Sequence, residues 1–283
     1  MENNYILFID SGIGGLSTLA ETMKHMKANY IYFADNKYVP YGSKTTDFLI
    51  ERLTKIIKFF IKKFNIKIIV LACNTATTTS IFALRQQFKN LIFIGTEPAY
   101  KVAIDNKFLH PAILATPQTI QHLKIKSDYF DLLPLENLAN KIETYFIHPT
   151  YFSKLNLLKE IFNIKKITTH NDCLVLGCTH YSYLKEPLQK ITNLPVIDGN
   201  YGVSNRILFL LNQANNSKNE LKANAQTISN ANFNNKTSNY PSYLENNSAT
   251  NNVKIYLSNN NNGIKQKYKK ILNQILANQI KLC

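Results

Sequence analysis

Two cysteines that close apolar runs are the residues best placed to do chemistry. Residues 68–72 lead into Cys73-Asn74-Thr75-Ala76, and residues 174–177 lead into Cys178-Thr179-His180-Tyr181. Each run reads as a buried strand, and ligands of open α/β sheets bind where such strands end. A helix N-terminus after Cys73 would favour the thiolate. Asn74, Thr75 and Thr179 offer neutral donors to a carboxylate. His180 can relay a proton to a thiol or satisfy a core hydrogen bond. Taken alone, Cys73 fits a buried small hydrophobe equally well. The pair is more telling. Inverting an α-carbon needs a base on one face and an acid on the other, with helix ends and neutral donors to stabilise the carbanion-like carboxylate. Two thiols with polar followers suit inversion of an amino acid at its α-carbon.

Asp10-Ser11-Gly12-Ile13-Gly14-Gly15 follows an apolar run and opens a helical pattern. Glycines let a backbone approach a ligand, and a helix N-terminus attracts an anion. No Lys-Ser/Thr pair follows and GxGxxG spacing is absent, so a carboxylate suits this loop better than a phosphate. A tight strand-to-helix turn is the plain alternative. Pro40-Tyr41-Gly42-Ser43 reads as a turn that caps the next helix. Asp35 reads as a turn or cap residue. A pyridoxal cofactor would need a Schiff-base lysine and a phosphate cup, and neither is evident, so no cofactor is expected. The four cysteines, Cys73, Cys173, Cys178 and Cys283, include no CxxC pair and read as free thiols. Only Cys178 and His180 come near metal-ligand spacing, so no metal is expected.

Positioning these groups falls to alternating strands and helices. Strands are expected at 5–9, 30–34, 66–72 and 91–95, with helices over 14–27 and 45–64 and from Cys73 to about Phe88. The pattern restarts near Pro98. Strands are expected at 112–115, 174–176 and 195–198, and helices from about Thr119 and over 138–146, 151–162 and 203–213. A strand at 253–257, a turn at 259–263 and an amphipathic helix at 264–280 close the chain. Such alternation argues for parallel sheets covered by helices on both sides. Residues 212–252 break it, with fourteen asparagines in 41 positions. Disorder or a loose surface insertion, about 215–250, is expected there.

The 283 residues carry a net charge of +15 and are 45% hydrophobic. That suffices for a real core. Nucleic-acid sites lean on arginine, yet the only arginines are Arg52, Arg85 and Arg206. Scattered lysines fit a solvated surface better than a nucleic-acid footprint. No apolar run reaches the roughly 18 residues of a membrane span. The first ten residues lack the basic start and apolar core of a signal peptide. A cytoplasmic setting without membrane or nucleic-acid partners is expected.

In order along the chain, Asp10-Ser11-Gly12-Ile13-Gly14-Gly15, Pro40-Tyr41-Gly42, Cys73-Asn74-Thr75-Ala76 and Gly177-Cys178-Thr179-His180-Tyr181 resemble the motifs of glutamate racemase, in the aspartate/glutamate racemase superfamily. The resemblance covers most of the chain outside 212–252. It implies two similar α/β domains, related by a pseudo-twofold axis, with the active site between them. The first would be 1–97 plus 208–283 and the second 98–207. It implies cofactor-independent interconversion of L- and D-glutamate by Cys73 and Cys178, supplying D-glutamate for peptidoglycan. Asp10 and His180 would stand beside the thiols. Asp10, Ser11, Tyr41, Gly42, Asn74, Thr75, Thr179 and His180 would contact the substrate, with Thr116 and Thr119 as a further threonine pair. A homodimer is compatible with it.

The chain departs from the family pattern in places. The family often has a glutamate after a Pro-Leu pair, near its catalytic histidine. Pro134-Leu135-Glu136-Asn137 is close but offset, so Glu136 stays unassigned. The Asn-rich stretch is not a family feature. The chain starts too near Asp10 for the N-terminal extension tied to activation by a cell-wall precursor in some members. Aspartate racemase stays open as a sister activity, because motif order does not show the side-chain carboxylate pocket. More distant alternatives are a basic nucleic-acid-binding protein and a carboxylate-binding module with inert cysteines.

Overall fold

The computed structural model describes residues 4–123, 125, 127–227, 251–259 and 261–278. The chain begins β1 (Asn4–Asp10), α1 (Gly15–His25), β2 (Asn29–Ala34), α2 (Thr46–Lys63), β3 (Asn65–Leu71), α3 (Asn74–Gln87) and β4 (Ile92–Gly95). It continues α4 (Tyr100–Asp105), β5 (Pro111–Ala115), α5 (Pro117–His122), β6 (Asp131–Pro134), α6 (Leu138–Ile147) and α7 (Tyr151–Ile167). Then come β7 (Cys173–Gly177), α8 (Lys185–Thr192), β8 (Val196–Ile197), α9 (Asn200–Thr227), β9 (Asn252–Leu257) and α10 (Asn262–Leu276). Short 3-10 turns at Tyr41–Ser43 and Thr179–Leu184 matter below.

The strands form two parallel sheets, ordered β4-β3-β1-β2-β9 and β6-β5-β7-β8. Read from its other edge, the second sheet is β8-β7-β5-β6. It repeats the first four strands of the first sheet with the same connectivity: β1 matches β5, β2 matches β6, β3 matches β7 and β4 matches β8. Cys73 follows β3 and Cys178 follows β7, so the two cysteines hold equivalent places. The expected α/β class with two similar parallel sheets is what the chain adopts. β9 returns to the first sheet and pairs Ile255 with Tyr32 of β2.

Helices cover both faces, so β2, β5 and β7 are buried throughout, and β1 beyond Asn4. Their apolar runs show no alternation for that reason. α2 turns Leu49, Leu53, Ile56, Ile57 and Phe60 inward at helical spacing. The Thr45 side chain caps it by accepting from the Phe48 N–H.

Three elements escaped the sequence reading: α4, β6 and α8. β6 has four residues, ends on Pro134 and lies at a sheet edge, where proline is tolerated and the apolar pattern fades. α8 carries Pro187 in its first turn, where a missing N–H breaks no helical bond. α7 runs on to Ile167 rather than ending near Phe162. α9 continues to Thr227, so 212–227 is helix and not the start of a loose insertion. No Gly or Pro interrupts 203–227, and asparagine lowers helix propensity without forbidding it. The rest of the expected insertion, 228–250, and the expected helix end near Ile280 lie outside the described residues. No helix among the described residues is long and apolar enough to cross a membrane.

Candidate active site

Side chains that follow the strands tie the two sheets together at their carboxyl ends. Thr75 Oγ1, just past β3, lies 3.0 Å from Thr116 Oγ1 and 3.2 Å from Thr119 Oγ1, just past β5. Thr116 also donates to Thr119 over 3.0 Å and caps α5. The Thr179 hydroxyl, just past β7, donates to Asp10 Oδ2 at the end of β1 over 3.1 Å. Cys73 precedes the first bridge by two residues and Cys178 immediately precedes the second. The two thiols are 6% and 8% exposed, and a charge on Cys178 opposes one on Cys73. The expected site residues Asp10, Ser11, Tyr41, Asn74, Thr75, Thr116, Thr119, Thr179 and His180 are all buried. Gly42 packs close to Thr116.

The surroundings of the two thiols differ. Burial pushes the Cys73 thiol well above its ordinary range, and the Asp10 charge adds to this. The N–H groups of Ala76 and Thr75 bond the sulfur and pull the other way, and they lose. The helix N-terminus was expected to favour thiolate. Desolvation of a buried anion outweighs it, so Cys73 rests as a thiol. Asp10 is itself raised to about 6, chiefly by burial, against the lowering effects of His180 and the Gly12 N–H.

Around Cys178 the decisive residue is Glu143 of α6, which the sequence reading missed. Its Oε2 accepts from His180 Nε2 and from the Ile13 N–H, both at 2.8 Å, and its Oε1 accepts from the Tyr268 hydroxyl at 2.8 Å. Burial alone would lower His180. Its hydrogen bonds to Cys178 and Glu143, with their charges, outweigh burial and hold the imidazole well above its ordinary value. Glu136 is exposed and lies at the rim of a pocket of about 260 Å³ beside Gly42 and Thr116. Glu143 could have been found from its position. It falls on the inward stripe of α6 with Ala139, Ile142 and Ile147, where a carboxylate needs buried partners.

Glu143 also changes the meaning of the glycine loop. The Gly12 N–H donates to Asp10 Oδ1 at 2.7 Å, and the Ile13 N–H goes to Glu143. A Cβ on Gly12 would stand 2.3 Å from Glu143 Oε2, and one on Gly14 would stand 2.5 Å from Thr179 Oγ1. Glycine is needed for close approach, as expected, but what is approached is the protein's own Glu143 carboxylate at Gly12 and Thr179 hydroxyl at Gly14.

Asp35 is more than a turn residue. Its carbonyl does accept from the Tyr38 N–H. Its buried carboxylate, however, takes both Arg52 nitrogens at 2.7 and 2.8 Å and the Tyr41 hydroxyl at 2.8 Å. No local pattern links Asp35 to Arg52 on α2, so nothing in the sequence marks the pair. Asn74 is 3% exposed and its side-chain nitrogen has no hydrogen-bond partner among the described residues. A buried open donor gains most from an acceptor such as a carboxylate. Among the described residues, no group of three or more His, Cys, Asp or Glu side chains could hold a metal ion.

No family profile matches the chain. A glutamate racemase of Clostridium botulinum is 38% identical over 245 residues, which is 82% of this chain and 93% of that one. The chain belongs to the glutamate racemase family. It is thus an isomerase of the amino-acid racemase class. A glutamate racemase of Buchnera aphidicola subsp. Schizaphis graminum is 40% identical over 216 residues, 71% of this chain and 83% of its own. In fold, the chain is similar to Escherichia coli glutamate racemase, solved in complex with L-glutamate and the activator UDP-MurNAc-ala. The TM-score is 0.72, over 96% of this chain and 95% of that one, at 23% identity.

A glutamate racemase built this way keeps Asp10 at a cost to its own stability. Burial raises the carboxyl from 3.8 to about 6. Folding therefore favours the protonated form. The contribution is fully present below 3.8 and is lost as the pH rises through about 6. The shift of roughly two units corresponds to about 3 kcal/mol. Asp10→Asn is expected to raise Tm at pH 8 by several degrees, with the gain shrinking toward pH 5. Thermal unfolding at both pH values checks this. A variant no more stable at pH 8 would mean that the Gly12 and Thr179 bonds already offset burial.

Proposed function

We propose that this chain interconverts L- and D-glutamate by moving the α-proton between Cys73 and Cys178, without a cofactor. The carrying observation is the equivalent placement of two buried thiols after β3 and β7, with the strand ends bonded across between the sheets. On one face, Cys73 is the base for one enantiomer. Asp10, with its carboxyl near 6, is the group that takes the Cys73 proton beforehand. On the other face, Cys178 is the acid. His180 gives Nε2 to Glu143, which leaves Nδ1 for the thiol. An imidazolium there stabilises the thiolate that remains after Cys178 delivers its proton. The roles reverse for the other enantiomer.

The open Asn74 donor, the hydroxyls of Thr75, Thr116 and Thr119, and Thr179 would hold the substrate's carboxylates, with Ser11, Tyr41 and Gly42 alongside. Because the Tyr41 hydroxyl is committed to Asp35, Tyr41 offers a ligand its ring and main chain. These neutral donors are fixed in advance, which is what stabilises charge that develops at the α-carbon. D-glutamate so made would supply peptidoglycan synthesis, and the Escherichia coli neighbour's complex with UDP-MurNAc-ala supports that setting.

Circular dichroism of each enantiomer, with no pyridoxal phosphate or metal added, tests the substrate. Glutamate should racemise from either side. One methylene changes kcat/KM by about 10- to 200-fold in a fitted pocket, so L-aspartate should be slower by about that factor. Equal turnover of aspartate would move the reading to the sister activity.

A further inference from the structure

Glu143 is gripped from three directions. The Ile13 N–H comes from the glycine loop, His180 from the 3-10 turn after β7, and the Tyr268 hydroxyl from α10, 125 residues away in sequence. We infer that the Tyr268 hydroxyl is a positioning group for the reaction: it fixes Glu143 Oε1 so that Oε2 stays aimed at His180 and, through it, at Cys178. This rests on the two-thiol reading above.

A carboxylate with donors on one oxygen can still swing. One with donors on both oxygens must break a bond to do so. Two other tyrosines strengthen the arrangement. Tyr32 donates to the Gly12 carbonyl at 2.6 Å and Tyr183 to the Ile13 carbonyl at 2.8 Å. They fix the loop whose Ile13 N–H holds Glu143 Oε2. The Tyr268 ring packs 6.5 Å from that of Tyr32, so the hydroxyls share one buried layer. Tyr268 is 0% exposed, and burial followed by the Glu143 charge raises its phenol well above 10, which keeps it a donor. α10 has a second tie to α6 that does not involve Glu143: Lys267 Nζ donates to the Ile147 carbonyl at 2.6 Å. The titratable groups facing Glu143 are His180 and Tyr183 from the 3-10 turn, Asp10 from β1, Tyr32 from β2 and Tyr268 itself.

Tyr268→Phe keeps the ring and removes only the hydroxyl. With rates normalised to folded protein, kcat for glutamate should fall about tenfold, on the scale of one charge-assisted hydrogen bond, with KM within about twofold. The limb of the kcat–pH profile set by His180 should move to lower pH, because Glu143 is what helps hold His180 up. Lys267→Ala should leave that profile in place. An unchanged rate and profile in Tyr268→Phe overturns the inference. So does the same loss in Lys267→Ala, which would show that α10 matters only by docking. Cys73→Ala and Cys178→Ala, run beside them, separate the two ideas. If either cysteine variant still racemises glutamate, the two-thiol reading fails whatever Tyr268→Phe does.

Discussion

Cys73→Ala and Cys178→Ala are each expected to abolish glutamate racemisation while the fold survives. Both side chains are small and buried, so losing one sulfur perturbs packing little. It removes one of two groups that must act on opposite faces of one carbon. A positioned acid or base contributes about 100- to 10,000-fold, and inversion has no route around a missing end. Isotope placement gives the finer test. In D2O, at early times, deuterium enters the newly formed enantiomer, because the donor thiol has exchanged with solvent before it acts. The recovered starting enantiomer stays mostly protiated. Each alanine variant keeps exchange only on the face whose thiol remains. Early deuterium shared equally between enantiomers would point to a single base. Racemisation by Cys178→Ala at a rate comparable to the parent would rule out the mechanism for this chain.

Glu143→Gln is expected to lower kcat by about 100- to 1,000-fold, within the span of a general acid–base group. The glutamine has nearly the same shape. It cannot offer oxygens to Tyr268, His180 and the Ile13 N–H together as the carboxylate does, since one end becomes a donor. It also lacks the charge that helps hold His180 above its ordinary value. The pH limb belonging to His180 therefore shifts down. Stability follows the same sign. His180 is raised in the fold, so its contribution is fully present at low pH and lost as the pH rises through the folded value. The variant's deficit is then largest at acid and neutral pH and shrinks when alkaline. Breaking a buried pair by removing one partner costs about 3–5 kcal/mol. Denaturant titrations at several pH values and a kcat–pH profile measure both effects. An unchanged kcat would show that Glu143 only satisfies buried donors and that His180 serves Cys178 without it.

Both cysteines, the order of the motifs around them and the parallel α/β class could be read from the sequence. Each is local information: a run of four buried strand residues, a small residue, a thiol, then donors. Strands covered on both faces lose alternation and become plain apolar runs, so they stand out. β6 did not, because an edge strand of four residues ending in proline carries almost no pattern. The helix over 212–227 was hidden by composition, since asparagine reads as loop even where nothing stops a helix that is already under way.

What the tertiary structure decided is the electrical state of the site. Glu143 gathers its donors from residues 13, 180 and 268, and Asp35 and Arg52 meet across two elements. Side-chain periodicity says that such groups point inward, but not which other inward groups they meet. The state of Cys73 was misread for the same reason. The helix after it is visible in sequence, whereas the burial that overrides the helix comes from the tertiary packing of β1, β2, β3, α2 and the Tyr41 turn around it.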